Sequence, residues 1–159
     1  MIKKIISGGQ TGADRAALDF AVRHEMPHGG WVPKGRRAED GRIPEIYQLK
    51  QMLTDSYPER TEQNVIDSDG TVIISHGTPT GGSANTAEMA RKHGRPWLHL
   101  DMEMATVDEA AQRLQEWITD NSVGVLNVAG PRQSGDPAIY DVTIKVLERA
   151  VGVQRRDDL

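Results

Sequence analysis

The sequence predicts a three-layer αβα sandwich around a mainly parallel sheet of about five strands. Three observations predict it. Short apolar runs alternate with helical periodicities along the whole chain, as βαβ units require. The run Thr71-Val72-Ile73-Ile74 is apolar without interruption, the pattern of a strand buried on both faces of a parallel sheet. Glycines collect where strands hand over to helices, instead of scattering through the chain.

In chain order, Ile2 to Ile6 is a short apolar strand. Ser7 to Gly12 is a turn. Ala13 to His24 is a helix with Ala16, Ala17, Phe20 and Ala21 on one face. Gly30 to Val32 reads as a weak second strand stopped by Pro33. Lys34 to Pro44 reads as a charged loop, Glu45 to Thr54 as a possible helix, and Thr61 to Asp67 as a short helix. Gly70 to Ser75 is the third strand, and Ser83 to His93 the helix after it, closed by Gly94 and Pro96. Trp97 to Leu100 is the fourth strand. Thr106 to Asn121 is amphipathic through Val107, Ala110, Ala111, Leu114 and Ile118. Val123 to Val128 is the fifth strand, Ala129 to Pro137 a loop, and Ala138 to Val151 the last helix.

The 159 residues suit one domain, expected over residues 1–154, with a flexible tail at 155–159. A formal charge of −4 offers no basic surface for nucleic acid, so none is expected as a partner. With no cysteine, thiolate metal sites and disulfides are excluded. The five histidines show no metal-site spacing, so no metal-ligating set is expected. The N-terminal apolar run is too short for a signal peptide, and nothing approaches the roughly 18 apolar residues of a membrane span. A soluble, cytoplasmic protein without a membrane partner is the expectation.

Loops that follow parallel strands share the carboxyl edge of the sheet, where ligands bind at the switch in strand order. Three of them are rich in glycine, Ser7-Gly8-Gly9-Gln10-Thr11-Gly12, Thr78-Pro79-Thr80-Gly81-Gly82-Ser83 and Ala129-Gly130-Pro131, and the first two lead into helix N-termini. Free N–H groups and the positive helix end favour an anion there, and glycine permits close approach. Ser7, Thr11, Ser83 and Thr86 add hydroxyls. Tight turns and ordinary caps explain either loop alone; two at one edge point to a shared phosphate site. Neither loop has the G-x-G-x-x-G order or the Lys of a P-loop. Where a dinucleotide enzyme places an acid after strand two, this chain has Lys34, Arg36 and Arg37. That run reads either as a cationic flap for an oxyanion or as a solvated loop balanced by Glu39 and Asp40. Asp14 reads as a complement to its helix dipole, as a partner for Lys34, or as a ligand-hydroxyl acceptor. Glu88 is either a surface carboxylate or the candidate catalytic group. His76, at a strand end, stands out among the histidines.

The segments Ile6 to Arg15, Thr80 to Thr86 and Leu126-Asn127-Val128-Ala129-Gly130-Pro131-Arg132 resemble the molybdenum carrier family across almost the whole chain. That family is similar to molybdenum-cofactor carriers, within a Rossmann-like superfamily that includes lysine-decarboxylase-like phosphoribohydrolases and the DNA-processing protein A fold. The resemblance implies a doubly wound sheet, a homo-oligomer, and a phosphorylated ligand such as the molybdenum cofactor, a pterin phosphate, or a nucleotide; molybdate is a further candidate. It adds Asn127, Gly130 and Arg132 to the ligand-binding candidates. The phosphoribohydrolases carry Pro-Gly-Gly-x-Gly-Thr-x-x-Glu. Here the paired glycines fall on Gly81 and Gly82 and the glutamate on Glu88, but Thr80, Ala84 and Asn85 replace the proline, third glycine and threonine.

The leading expectation is therefore a binding or carrier protein for a phosphorylated small molecule. The alternative is an enzyme that cleaves the glycosidic bond of a nucleoside 5′-monophosphate with Glu88. A turnover assay on nucleotides separates the two.

Overall fold

The computed structural model describes residues 1–152. The expected tail at 155–159 lies outside them. Five parallel strands form the main sheet: β1 (Lys4–Ile6), β2 (His28–Gly29), β7 (Gly70–Ser75), β8 (Trp97–Asp101) and β9 (Val125–Ala129). Their spatial order is β2-β1-β9-β7-β8, every pairing parallel. The helices are α1 (Ala13–Arg23), α2 (Tyr57–Asp67), α3 (Gly81–Lys92), α4 (Val107–Asp120) and α5 (Ile139–Leu147), the last continuing as a π-helical turn, Glu148–Gly152. The α/β sandwich and the parallel sheet are as the sequence predicts.

Strand alternation sorts the two faces. Val72, Ile74, Leu126 and Val128 join α1, α4 and α5 in the main apolar core. The residues between them, Thr71, Ile73, Ser75 and Asn127, turn to the other face, where α2 and α3 pack on each other. The polar members of that second face are paired: Asn127 Nδ2 donates to Thr71 Oγ1 at 3.2 Å, and Ser75 Oγ lies 2.7 Å from His99 Nε2.

Between β1 and α2 the structure departs from expectation. The second strand of the sheet is His28–Gly29, not Gly30 to Val32. At Gly30 the chain leaves the strand with φ 128°, and only glycine fits, because a Cβ there would lie 2.1 Å from the Ser7 carbonyl oxygen. Trp31–Val32 (β3) pairs instead with Lys50–Gln51 (β6), so Glu45 to Thr54 is not helical. Arg37–Ala38 (β4) and Gly41–Arg42 (β5) form a small hairpin inside the expected loop. A satellite core of Leu18, Val32, Ile43 and Tyr47 holds this segment down. Helix α2 starts four residues earlier than expected: Ser56 Oγ accepts the Glu59 amide, a capping pattern with Pro58 in the first turn.

Candidate functional site

The chain leaves β1 toward β2 and leaves β7 toward β8, in opposite directions, and β9 fills the gap between them. The crevice that such a reversal opens at the carboxyl edge is a cavity of about 290 Å³. Its walls come from the loop after β1 (Gly8, Gln10) and the first turn of α1 (Asp14), from α2 (Arg60, Thr61, Asn64), from the start of α3 (Thr80, Gly81, Gly82, Ser83, Thr86) and from the end of β9 with its loop (Asn127 to Arg132, and Gly135). The two glycine-rich loops singled out in the sequence thus meet at one site.

The α3 wall is open. Thr80 provides no side-chain cap, and the Gly81 and Gly82 amides meet no protein acceptor among the described residues. Among the described residues, nothing beyond the adjoining backbone of α3 lies within 4 Å of where a Cβ would stand on either glycine. Thr86 Oγ1 spends its proton on the Gly82 carbonyl at 2.9 Å. Amides at a positive helix end with space in front of them make an anion cradle.

The opposite wall is built on Arg60. Its Nη1 donates to Asp14 Oδ2 at 3.3 Å, both side chains about 10% exposed. The guanidinium lies against Gly8: a Cβ there would sit 1.4 Å from Arg60 Nη1. Gly8 is therefore small to admit an arginine. The Gln10 amide also donates to Asp14 Oδ2, at 3.3 Å. Burial nonetheless pushes the Asp14 carboxyl above the usual range, against the opposing pull of Arg60. Arg60 Nε and Gln10 Nε2 are buried donors without an acceptor among the described residues, so this wall keeps unspent hydrogen-bonding capacity.

Several residues singled out by sequence lie beside the cavity instead of in it. Ser7 Oγ donates to the Asp14 carbonyl at 2.9 Å and accepts the Gly9 amide, shaping the loop from below. Gly9 packs on Ile43, Val32 and Leu49. Thr11 Oγ1 bonds Glu39 and accepts the Gln133 amide at 3.0 Å. Gly12 is pressed against the loop after β9. Lys34 is exposed and outside the lining, and Asp14 pairs with Arg60, not with it. Arg36 is buried and spends its guanidinium on the carbonyls of Ile43, Pro44 and Tyr47, so it braces the loop and brings no charge to the cavity. Glu88 is exposed on the outer side of α3, paired with Arg91 and absent from the lining. His76 Nδ1 lies 2.5 Å from Asp136 Oδ2, next to the cavity but outside the lining.

Sequence reasoning missed Arg60, Thr61 and Asn64. Asn64 accepts the Trp31 amide at 2.7 Å and donates to the Trp31 carbonyl at 3.0 Å, tying α2 to β3. The spacing of Arg60 and Asn64 by one helical turn is the available signal, but it emerges only once α2 is begun at Tyr57.

The chain matches the model of the "Circularly permutated YpsA SLOG family" over residues 5–151. No curated protein matches it. Among solved structures, a crystal structure from Syntrophus aciditrophicus described as "Putative molybdenum carrier protein" superimposes with a TM-score of 0.94 at 55% sequence identity. That likeness covers 94% of this chain and 95% of the other.

Proposed function

Given that this chain belongs to the circularly permuted YpsA SLOG family, we propose that it binds and carries a phosphorylated small molecule in the cavity above β9. The observation that carries the reading is the uncapped α3 start, with Gly81 and Gly82 open to solvent, facing a buried Arg60 across the cavity. The phosphate sits on the α3 amides and Ser83, and Arg60 supplies the countercharge. Asp14, on the same wall, accepts a hydroxyl or amino group of the ligand.

The molybdenum-carrier description of the 55% identical protein makes a molybdenum-bearing pterin phosphate the first cargo to test, and a nucleotide the second. The donor set suits the phosphate of such a cargo. Without a cysteine the chain has no soft thiolate for the metal, so molybdenum would ride on its organic ligand. The glycosidase alternative needs a carboxylate at the anomeric carbon, and Glu88 is on the far side of α3. Asp14, the carboxylate in the lining, is held by Arg60.

Titration calorimetry with inorganic phosphate, AMP and the metal-free pterin phosphate tests the reading, with molybdenum retention after gel filtration as a second readout. Arg60→Met should lower phosphate affinity at least tenfold. Phosphate affinity that falls less than threefold in this variant, or no binding of any of the three probes to the parent protein, would sink the proposal.

A further inference from the structure

Three guanidinium groups converge on one aromatic ring at the lip of the cavity. Arg60, Arg132 and Arg37 have their central carbons 5.4, 5.7 and 5.8 Å from the centre of the Tyr57 ring. They come from different elements: Arg60 and Tyr57 from α2, Arg132 from the loop after β9, and Arg37 from the β4–β5 hairpin. Arg60 and Arg132 line the cavity, so the ring stands at its rim.

The three are not equally committed. Arg60 is buried and bound to Asp14. Arg37 is more than half exposed and pairs with the exposed Asp55 at 3.3 Å. Arg132 makes no side-chain hydrogen bond among the described residues. Its nearest carboxylate, Glu39, is 3.9 Å away and already takes hydrogen bonds from Thr11 and Ser134. A guanidinium beside an aromatic ring keeps its N–H edge free and loses side-chain freedom before any ligand arrives. An arginine so placed is prepared for bidentate contact with a planar or tetrahedral oxyanion.

We propose that Arg132, positioned by Tyr57 and assisted by Arg37, forms a second anion subsite at the lip, so that the cavity selects small molecules with two separated anionic groups. This rests on the phosphate reading above: the first group occupies the α3 start, and the second meets Arg132. The second group is a tetrahedral oxyanion, either another phosphate of the ligand or a molybdate-like centre. Tyr57 is a positioning residue, and Arg37 adds charge from outside the cradle.

The experiment measures affinities by titration calorimetry for four probes: fructose 6-phosphate, fructose 1,6-bisphosphate, AMP and adenosine 3′,5′-bisphosphate. A fifth arm repeats AMP in the presence of molybdate. The expected result is a bisphosphate bound at least tenfold tighter than its monophosphate, or AMP bound at least tenfold tighter with molybdate; which of the two occurs identifies the source of the second anion. Tyr57→Leu should abolish that preference and Tyr57→Phe should keep it, because the ring and not the hydroxyl holds Arg132. Arg37→Ala should reduce the preference severalfold, and its exposed position keeps the test sound if Tyr57→Leu unfolds. Monophosphates that bind as tightly as every two-anion combination would overturn the second subsite and leave the phosphate site standing. Absence of binding by all probes, inorganic phosphate included, would overturn both.

Discussion

Helices α1 and α3 begin alike in sequence and differently in space. Each follows a core strand through a glycine-rich turn, and each N-terminus faces the crevice where strand order reverses. At α1 the first helical amide, of Ala13, donates to the Pro131 carbonyl at 3.3 Å. That same carbonyl oxygen stands 2.3 Å from where a Cβ on Gly12 would be. At α3 the corresponding amides of Gly81 and Gly82 face open space. One glycine turn admits another piece of the chain; the other leaves its amides open among the described residues. Glycine content reports close approach but not what approaches.

The comparison breaks most readily at Gly12. Its φ of 79° already disfavours a side chain, and a methyl group would press on the Pro131, Arg132 and Gln133 backbone, which cannot rotate away as a side chain can. Gly12→Ala should cost about 3 kcal/mol, seen as a fall in melting temperature of about 10 °C. A loss of under about 2 °C would mean that the α1 turn is not closed by the β9 loop, and the contrast with α3 would disappear.

Much of the fold was legible, and the reasons are local. The Thr71 to Ile74 run, the α4 periodicity and the Gly94-Arg95-Pro96 stop each carry their own signal, so those elements lie within a residue or two of expectation. The segment from Gly30 to Ser56 was not legible, because its two-residue strands and the satellite core depend on partners distant in sequence. The cavity followed the same rule. Its glycine loops announce themselves by composition, whereas Arg60 shows only a one-turn spacing to Asn64, and its place in the site depends on Gly8, more than fifty residues away. Arg36 misled for the converse reason: a basic run tells nothing about which of its members turns inward to backbone carbonyls.

At α3 the same kind of substitution should act on binding and not on folding. Gly82 lies in α3 without a positive φ, and among the described residues nothing beyond the adjoining backbone of the helix would crowd a Cβ there, so Ala fits without strain. Stability of Gly82→Ala should stay within about 0.5 kcal/mol of the parent, as for other unstrained surface changes. The new methyl group stands where phosphate must approach the amides. Affinity for inorganic phosphate should therefore drop about tenfold, equivalent to about 1.4 kcal/mol. Unchanged phosphate affinity with unchanged stability would show that the open helix start is not the cradle, and would sharpen attention on Arg60 and Arg132 alone.

The smallest effect concerns what keeps the closed side closed. Glu39, on the β4–β5 hairpin, accepts hydrogen bonds from the Ser134 hydroxyl and amide and from Thr11, fastening the hairpin to the loops after β9 and β1. The Ser134 hydroxyl, then Thr11, hold its carboxyl below the usual glutamate range. A carboxylate with a depressed folded-state pKa binds fewer protons folded than unfolded between the two values, so its contribution is complete above the unfolded pKa of about 4.5 and disappears as pH falls through the folded one. Because Glu39 remains accessible to solvent, that contribution should be below about 1 kcal/mol. Urea midpoints of the parent and of Glu39→Gln should differ by a constant amount above pH 5 and converge below it. Subtracting the two curves removes the parallel titration of Glu45, Glu62 and Asp101, whose carboxyls are also depressed. Curves that stay a fixed distance apart down to pH 3 would mean that the hydrogen bonds to Glu39 do not need its charge, and that shape alone closes the α1 side.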